Sequence, residues 1–234
     1  MREKINIVES SKKALKELEL KQVKLDEGIG TVKVEGGRIN LEVYNTEKVE
    51  KAVFSSILVN KISVSEESVI VWPEDGYNFP MMWLNLTRLP SMNIAVFDFV
   101  PLMDIIVWED YGENYLPELI SAKKRALEAF KGEIIEKDFD ISSIVAWTLS
   151  PYKMVLQLTD EGTFLLPSVI NDYCSIYTDL WKNASVLSAD EEINFCKRKK
   201  SAVKKLMKEN DPGYPIMVSI FGEGKTSKFF DLIF

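Results

Sequence analysis

The chain has 234 residues, 46% of them hydrophobic and 28% charged, with 29 basic against 36 acidic side chains and a net charge of -7. These proportions supply a buried core and a soluble surface, and they exclude a disordered tail or a collagen-like repeat. There is no histidine, and the cysteines are Cys174 and Cys196 alone. Imidazole zinc sites, Ser-His-Asp triads, CxxC metal sites and a disulfide scaffold are therefore excluded together, and the acidic balance argues against a nucleic-acid binder. Chemistry is left to carboxylates, Tyr, Lys, Cys or a borrowed cofactor.

The opening stretch, residues 1 to 22, lacks the apolar core of a signal peptide, and no run approaches the ~20 apolar residues of a membrane span. A soluble cytoplasmic protein with reduced thiols is expected. Ala14, Leu15, Leu18 and Leu20 lie among lysines and glutamates at helical spacing, so residues 9 to 22 read as a helix covering a core. From Thr31 the pattern alternates: Val32 and Val34, the Gly36-Gly37 pair, then Ile39, Leu41 and Val43, a β-hairpin signature. Further strands are predicted over residues 57 to 64, 68 to 72, 93 to 99 and 104 to 108. Their short connections imply antiparallel neighbours, because a parallel crossover needs a dozen or more residues.

After Pro117 helical spacing returns with Leu119, Ile120, Ala126, Leu127 and Phe130, and one extended stretch follows at residues 154 to 158. Val169, Ile170, Tyr173, Tyr177, Leu180 and Trp181 form another helical stripe; residues 190 to 209 and a short segment from Thr226 complete the helices. The expected fold is α+β, an antiparallel sheet between helical layers (an α/β/α sandwich), with residues 1–234 forming a single domain.

Several clusters invite a functional interpretation. Lys197, Lys200, Lys204 and Lys208 share one face of a predicted helix, suited to an acidic partner if free and an ordinary solvated face otherwise. Gly222, Gly224 and Lys225 lack the first glycine of a phosphate-binding loop. The five tryptophans and eight tyrosines suit a planar ligand or simply a core. Asp98 alternates with Val96 and Val100 inside an apolar run, so its charge must be paired, protonated or functional. Asp211, within Asn210-Asp211-Pro212-Gly213, reads locally as a helix stop and turn.

The C-terminal Asn210-Asp211-Pro212, then Phe221-Gly222-Glu223-Gly224, Phe229 and Leu232-Ile233-Phe234, resembles the end of the ferredoxin-dependent bilin reductases. Trp72-Pro73, Gly76, Pro80, Val96-Phe97-Asp98-Phe99 and Leu149-Ser150-Pro151 follow that family's order. The resemblance covers roughly residues 50 to 234. Together with the related red chlorophyll catabolite reductases, the family has an antiparallel sheet between helical layers, with a linear tetrapyrrole held between the sheet and the C-terminal helices.

The resemblance implies an oxidoreductase without a permanently bound cofactor or metal. It would reduce a linear tetrapyrrole, biliverdin or a related bilin, through substrate radicals, with electrons from external ferredoxin and protons from site carboxylates. By position, Asp211 matches the acid implicated in substrate protonation, and Asn85 falls where many members carry a catalytic aspartate of the central strands. An amide can orient a pyrrole or lactam but cannot deliver a proton. Asn210, Arg88, Lys153, Ser150 and Asp98 are the expected substrate-binding residues, with Arg88 or Lys153 compensating for cationic propionate clamps that are absent at Glu74, Leu156 and Gln157. The basic face of Lys197, Lys200, Lys204 and Lys208 would receive ferredoxin. A non-catalytic bilin-binding protein of the same fold, marked by Asn85, and an unrelated α+β protein are the alternatives.

Overall fold

In the computed structural model, residues 5–26, 28–137 and 143–234 are described. Helix α1 (Ile7–Ala14) opens the chain, with the Asn6 side chain accepting the Glu9 N–H at 3.0 Å as its N-cap. The strands β1 (Lys21–Gln22), β2 (Thr31–Val34), β3 (Gly37–Asn45), β4 (Val49–Val59), β5 (Val64–Pro73), β6 (Met81–Leu89) and β7 (Met92–Val100) follow. Then come α2 (Glu109–Tyr115), α3 (Pro117–Ala129), β8 (Ile134–Lys137), α4 (Ser143–Ala146), β9 (Met154–Leu158), α5 (Asp160–Thr163) and α6 (Leu166–Asn183). The chain closes with α7 (Asp190–Glu209), α8 (Tyr214–Phe221) and α9 (Glu223–Ile233).

Among the described residues the strands form one nine-stranded sheet ordered β1-β3-β4-β5-β6-β7-β9-β8, with β2 paired to β3. Every one of its pairs is antiparallel. The α+β sandwich is thus the observed fold, and the hairpin at Gly36-Gly37 forms as expected. A Cβ on Gly37 would lie 2.5 Å from the Leu58 carbonyl oxygen and 2.9 Å from the Phe221 ring, so only glycine lets β3, β4 and α8 approach there.

Three expectations fail for local reasons. Residues 57 to 64 straddle a turn: β4 ends at Val59, a single 3₁₀ turn spans Asn60–Ile62, and β5 starts at Val64. The partner of β7 is β6, not residues 104 to 108. That segment turns because the Asp104 carboxylate accepts the N–H groups of Ile106 and Val107 at 2.8 and 3.1 Å. The first helix ends at Ala14, and a 3₁₀ turn at Lys16–Leu18 leads into β1.

Alternation along the strands splits the core in two. Phe54, Val69, Val71, Leu84, Leu86, Phe97 and Phe99 face one layer with Leu15 just beyond α1, Leu119 and Ala122 of α3, and Val169, Ile170, Tyr173 and Tyr177 of α6. Leu41, Val53, Ile57, Ile70, Trp72 and Val100 face the other, under Val203 and Met207 of α7, Met217 and Phe221 of α8, and Phe229, Phe230 and Ile233 of α9. The Trp72 indole N–H donates to the Ile233 carbonyl at 2.9 Å, which fastens the last helix to β5. Among the described residues, no helix is long and apolar enough to cross a membrane.

Candidate active site on the sheet face beneath the C-terminal helices

Register decides which polar side chains meet. Asp98 of β7 lies opposite Trp83 of β6, Asn85 lies between Ser68 and Val96, and Glu66 of β5 lies opposite Thr87. With period-two alternation, Glu66, Ser68, Trp83, Asn85, Thr87 and Asp98 share the face covered by α7, α8 and α9, while Leu84, Leu86, Phe97 and Phe99 point away.

Asp98 is 1% exposed. Its carboxylate accepts the Ser150 N–H at 2.8 Å and the Ser150 hydroxyl, and that hydroxyl oxygen in turn accepts the Tyr152 N–H at 3.0 Å. Burial pushes the Asp98 carboxyl up to about 6 against the pull of these hydrogen bonds and of the nearby Lys153 charge. Asp98, Ser150 and Lys153 are therefore brought together.

Glu66 was not anticipated. Its side chain is half-buried, and the protein around it desolvates the carboxyl. Desolvation, with the Asp211 charge added, raises it to about 7, opposed by hydrogen bonds from Asn85 and Thr87. Asn85, 7% exposed, also accepts the Thr87 hydroxyl at 3.1 Å. The signal was present in the sequence: Glu66 is in phase with Ser68, Ile70 and Trp72, the same alternation that singles out Asp98.

Asp211 comes near Glu66 from the turn between α7 and α8. Its carboxylate accepts the Gly213 N–H at 2.7 Å, as a helix-stop turn requires, and burial nevertheless raises its pKa. Turn chemistry and proximity to Glu66 coexist at this residue. Its neighbour Asn210 ends α7, with its side-chain amide donating to the Leu206 carbonyl at 2.9 Å. That bond caps α7, so the expected direct contact of Asn210 with substrate has no support in its bonding.

Two expectations are corrected. Arg88 is in phase with Leu84 and Leu86 and lies on the opposite face from Asn85 and Asp98, where it bonds Glu67 at 3.2 Å and the Ile5 carbonyl at 2.5 Å. A side chain on that face does not reach a ligand under the C-terminal helices. The middle of the lysine face of α7 is an internal seam: Lys200 is buried and bonds Glu50 at 2.8 Å, the Pro73 carbonyl at 3.2 Å and Asp75. Lys204 pairs with Glu50 at 2.6 Å, Lys208 with Asp231, and Lys197 with Asp75 at 3.8 Å. Lys200 and Lys204 thus hold α7 to β4 and β5 and are not free for a partner, whereas Lys197 and Lys208 make solvent-exposed pairs at its two ends.

Three carboxyl groups shifted toward neutrality thus belong to one side of the sheet, Glu66 and Asp211 close enough for one charge to act on the other and Asp98 two strands away on β7. They can keep and release protons where solvent is scarce.

Comparison with known proteins agrees with this architecture. The chain is 24% identical over 201 residues to a phycoerythrobilin:ferredoxin oxidoreductase of Prochlorococcus marinus strain MIT 9301, covering 82% of this chain and 76% of the relative. The protein of the same description from strain MIT 9312 is 24% identical over 191 residues, covering 79% and 73%. The fold superposes with a TM-score of 0.78 and 19% identity on phytochromobilin synthase from tomato, solved in complex with biliverdin, across 93% of this chain and 78% of that one. Residues 8–234 match the model of the ferredoxin-dependent bilin reductases, and the chain belongs to that family.

Proposed function

We propose that residues 1–234 act as one reductase domain that reduces biliverdin or a related bilin through substrate radicals. Electrons come from reduced ferredoxin, without a resident cofactor, and protons come from Asp98, Asp211 and Glu66. The coupled pair Glu66 and Asp211 and the buried Asp98 on the same side of the sheet, with Asp98 at about 6 and Glu66 at about 7, carry the proposal. Each electron added to the conjugated ligand makes it more basic, and a neutral carboxyl beside it then transfers a proton without leaving two uncompensated charges in an apolar cleft. Two electrons and two protons saturate one double bond. Asn85 holds Glu66 by a hydrogen bond and orients the ligand, but it supplies no proton.

The non-catalytic alternative rested on Asn85. Neighbouring carboxyls on both adjacent strands weaken it, since proton donors do not depend on that position. Both cysteines are free and buried, which suits a reducing compartment such as the cytoplasm.

The test is anaerobic. Biliverdin is added to the purified protein, its absorbance is read, and reduced ferredoxin follows. Wild-type protein is expected to bind and turn over, whereas Asp98→Asn and Asp211→Asn bind but lose about 10²- to 10⁴-fold in rate and accumulate a radical seen by electron paramagnetic resonance. Binding without turnover in the wild type would leave a binding protein, and full activity in both variants would remove the proton donors.

A further inference from the structure

One register row crosses the sheet beneath the C-terminal helices with an unusual composition. Ser55 of β4 pairs with Ser68 of β5, and Ser68 pairs with Asn85 of β6. The flanking positions on that face are Leu41 beside Ser55, Val96 beside Asn85, Val53 and Ile70 one step along, and Ile57 on the other side. Three polar side chains therefore line up between aliphatic residues on one side and Glu66 and Thr87 on the other. Ser55 is 3% exposed and Ser68 6%.

Buried hydroxyls in such surroundings normally hydrogen-bond to something, because an unpaired one costs about 1–3 kcal/mol. The other buried hydroxyls differ from these two. Ser150 holds Asp98, Thr148 bonds the Val145 carbonyl, and Thr178 bonds the Cys174 carbonyl. Among the described residues neither the Ser55 nor the Ser68 hydroxyl meets a hydrogen-bonding group of the protein. Nor is either oxygen sealed off in the way those of Tyr173 and Thr226 are. Each is a buried side chain that faces the layer of α7, α8 and α9.

We propose that Ser55 and Ser68, continued by Asn85, form a hydrogen-bonding row that receives the polar edge of one end ring of the bilin and so sets which end lies against the carboxyls; this rests on the bilin-reductase reading above. The chemistry selects that part of the ligand. A hydroxyl both donates and accepts, so it matches the adjacent carbonyl and N–H of a lactam ring, whereas the anionic propionates call for cations. The row is neutral and lies next to the step that carries Glu66 and Thr87 and one strand from Asp98. A lactam seated on it brings that end of the ligand within reach of the acids. Ser55 and Ser68 are thus positioning residues for regiochemistry, with no part in proton transfer.

Ser55→Ala, Ser68→Ala and the double variant test this by biliverdin titration, thermal melting and product analysis, with Ser68→Thr as the conservative partner that restores a hydroxyl. Each alanine is expected to weaken biliverdin binding about 3- to 10-fold while the melting temperature holds within about 2 °C, since no protein bond is lost. The double variant is expected to broaden the distribution of reduced products, and Ser68→Thr to recover binding relative to Ser68→Ala. Unchanged affinity and products in the double alanine variant would overturn the row, as would a clear fall in melting temperature, which would mean that the hydroxyls serve the fold. A wild-type chain that binds no biliverdin would overturn the bilin reading itself, and the row with it.

Discussion

Glu66 carries the sharpest consequence at the scale of single residues. Its carboxyl is raised from 4.5 to about 7 in the folded protein. Between those values the folded state holds a proton that the unfolded chain has released. The associated stability is present below about 4.5 and is lost as pH rises through about 7. Glu66→Gln, which keeps the amide-bonding geometry without the charge, is therefore expected to raise the melting temperature more at pH 8 than at pH 5. If protonated Glu66 assists turnover, the alkaline limb of the wild-type rate profile near pH 7 should also be missing in that variant. Melting curves across pH and a pH–rate profile check both points, and identical profiles in the two proteins would remove Glu66 from the chemistry. Arg88 makes the opposite case. Both partners of its ion pair with Glu67 are only 14% exposed, so Arg88→Ala should destabilise the fold by about 1–3 kcal/mol. Biliverdin affinity should stay unchanged within about twofold, because the side chain lies on the far face. Denaturant unfolding and titration on the same sample separate the two effects.

At the scale of elements, α7 shows why a charge run is ambiguous. Its lysines at 197, 200, 204 and 208 do share a face, as the spacing predicts, but Lys200 and Lys204 in its middle turn inward onto Glu50 and Asp75, while Lys197 and Lys208 stay exposed beside Asp75 and Asp231. Lys204 also stands 5.0 Å over the Trp72 ring, which adds a cation–π contact to the seam. Lys200→Ala is expected to destabilise by about 2 kcal/mol, below the full cost of breaking a buried pair because Glu50 and Asp75 remain 31% and 44% exposed and can rehydrate. That corresponds to a fall of roughly 4–8 °C for a chain of this size. The ferredoxin dependence of the surviving folded protein should not change; a selective loss of ferredoxin response at unaltered melting temperature would restore the docking role. Helix α6 illustrates the same inward use of lysine, since Lys48 donates to the carbonyls of Trp181, Lys182 and Ala184 at 3.0, 3.3 and 2.8 Å and closes its C-terminal end.

For the whole molecule, local pattern and composition were sufficient for the fold class and most helices. The stretch from 190 to 209 is helical because apolar Cys196, Val203 and Met207 recur at helical spacing. Strands β2 and β3 alternate because each buries one face, β5 and β7 end in continuous buried runs because both faces are covered there, and short connections leave antiparallel pairing as the only route. The missing histidines leave the chemistry to carboxylates, Tyr, Lys, Cys or a borrowed cofactor on sequence alone. Asp98 and Asp211 were legible as well, one by its phase in an apolar strand and the other by its family position. Tertiary structure alone decided which groups share a space. Period-two phase says that Arg88 and Asn85 lie on opposite faces, but only the sheet's placement between two helical layers says which face holds a site. Likewise Glu66 lies 145 residues before Asp211, and only the return of α7 and α8 over the sheet lets one carboxylate raise the other. Local propensity acts over a few residues and is written in the chain, whereas desolvation and charge coupling depend on distances that exist only after the layers close.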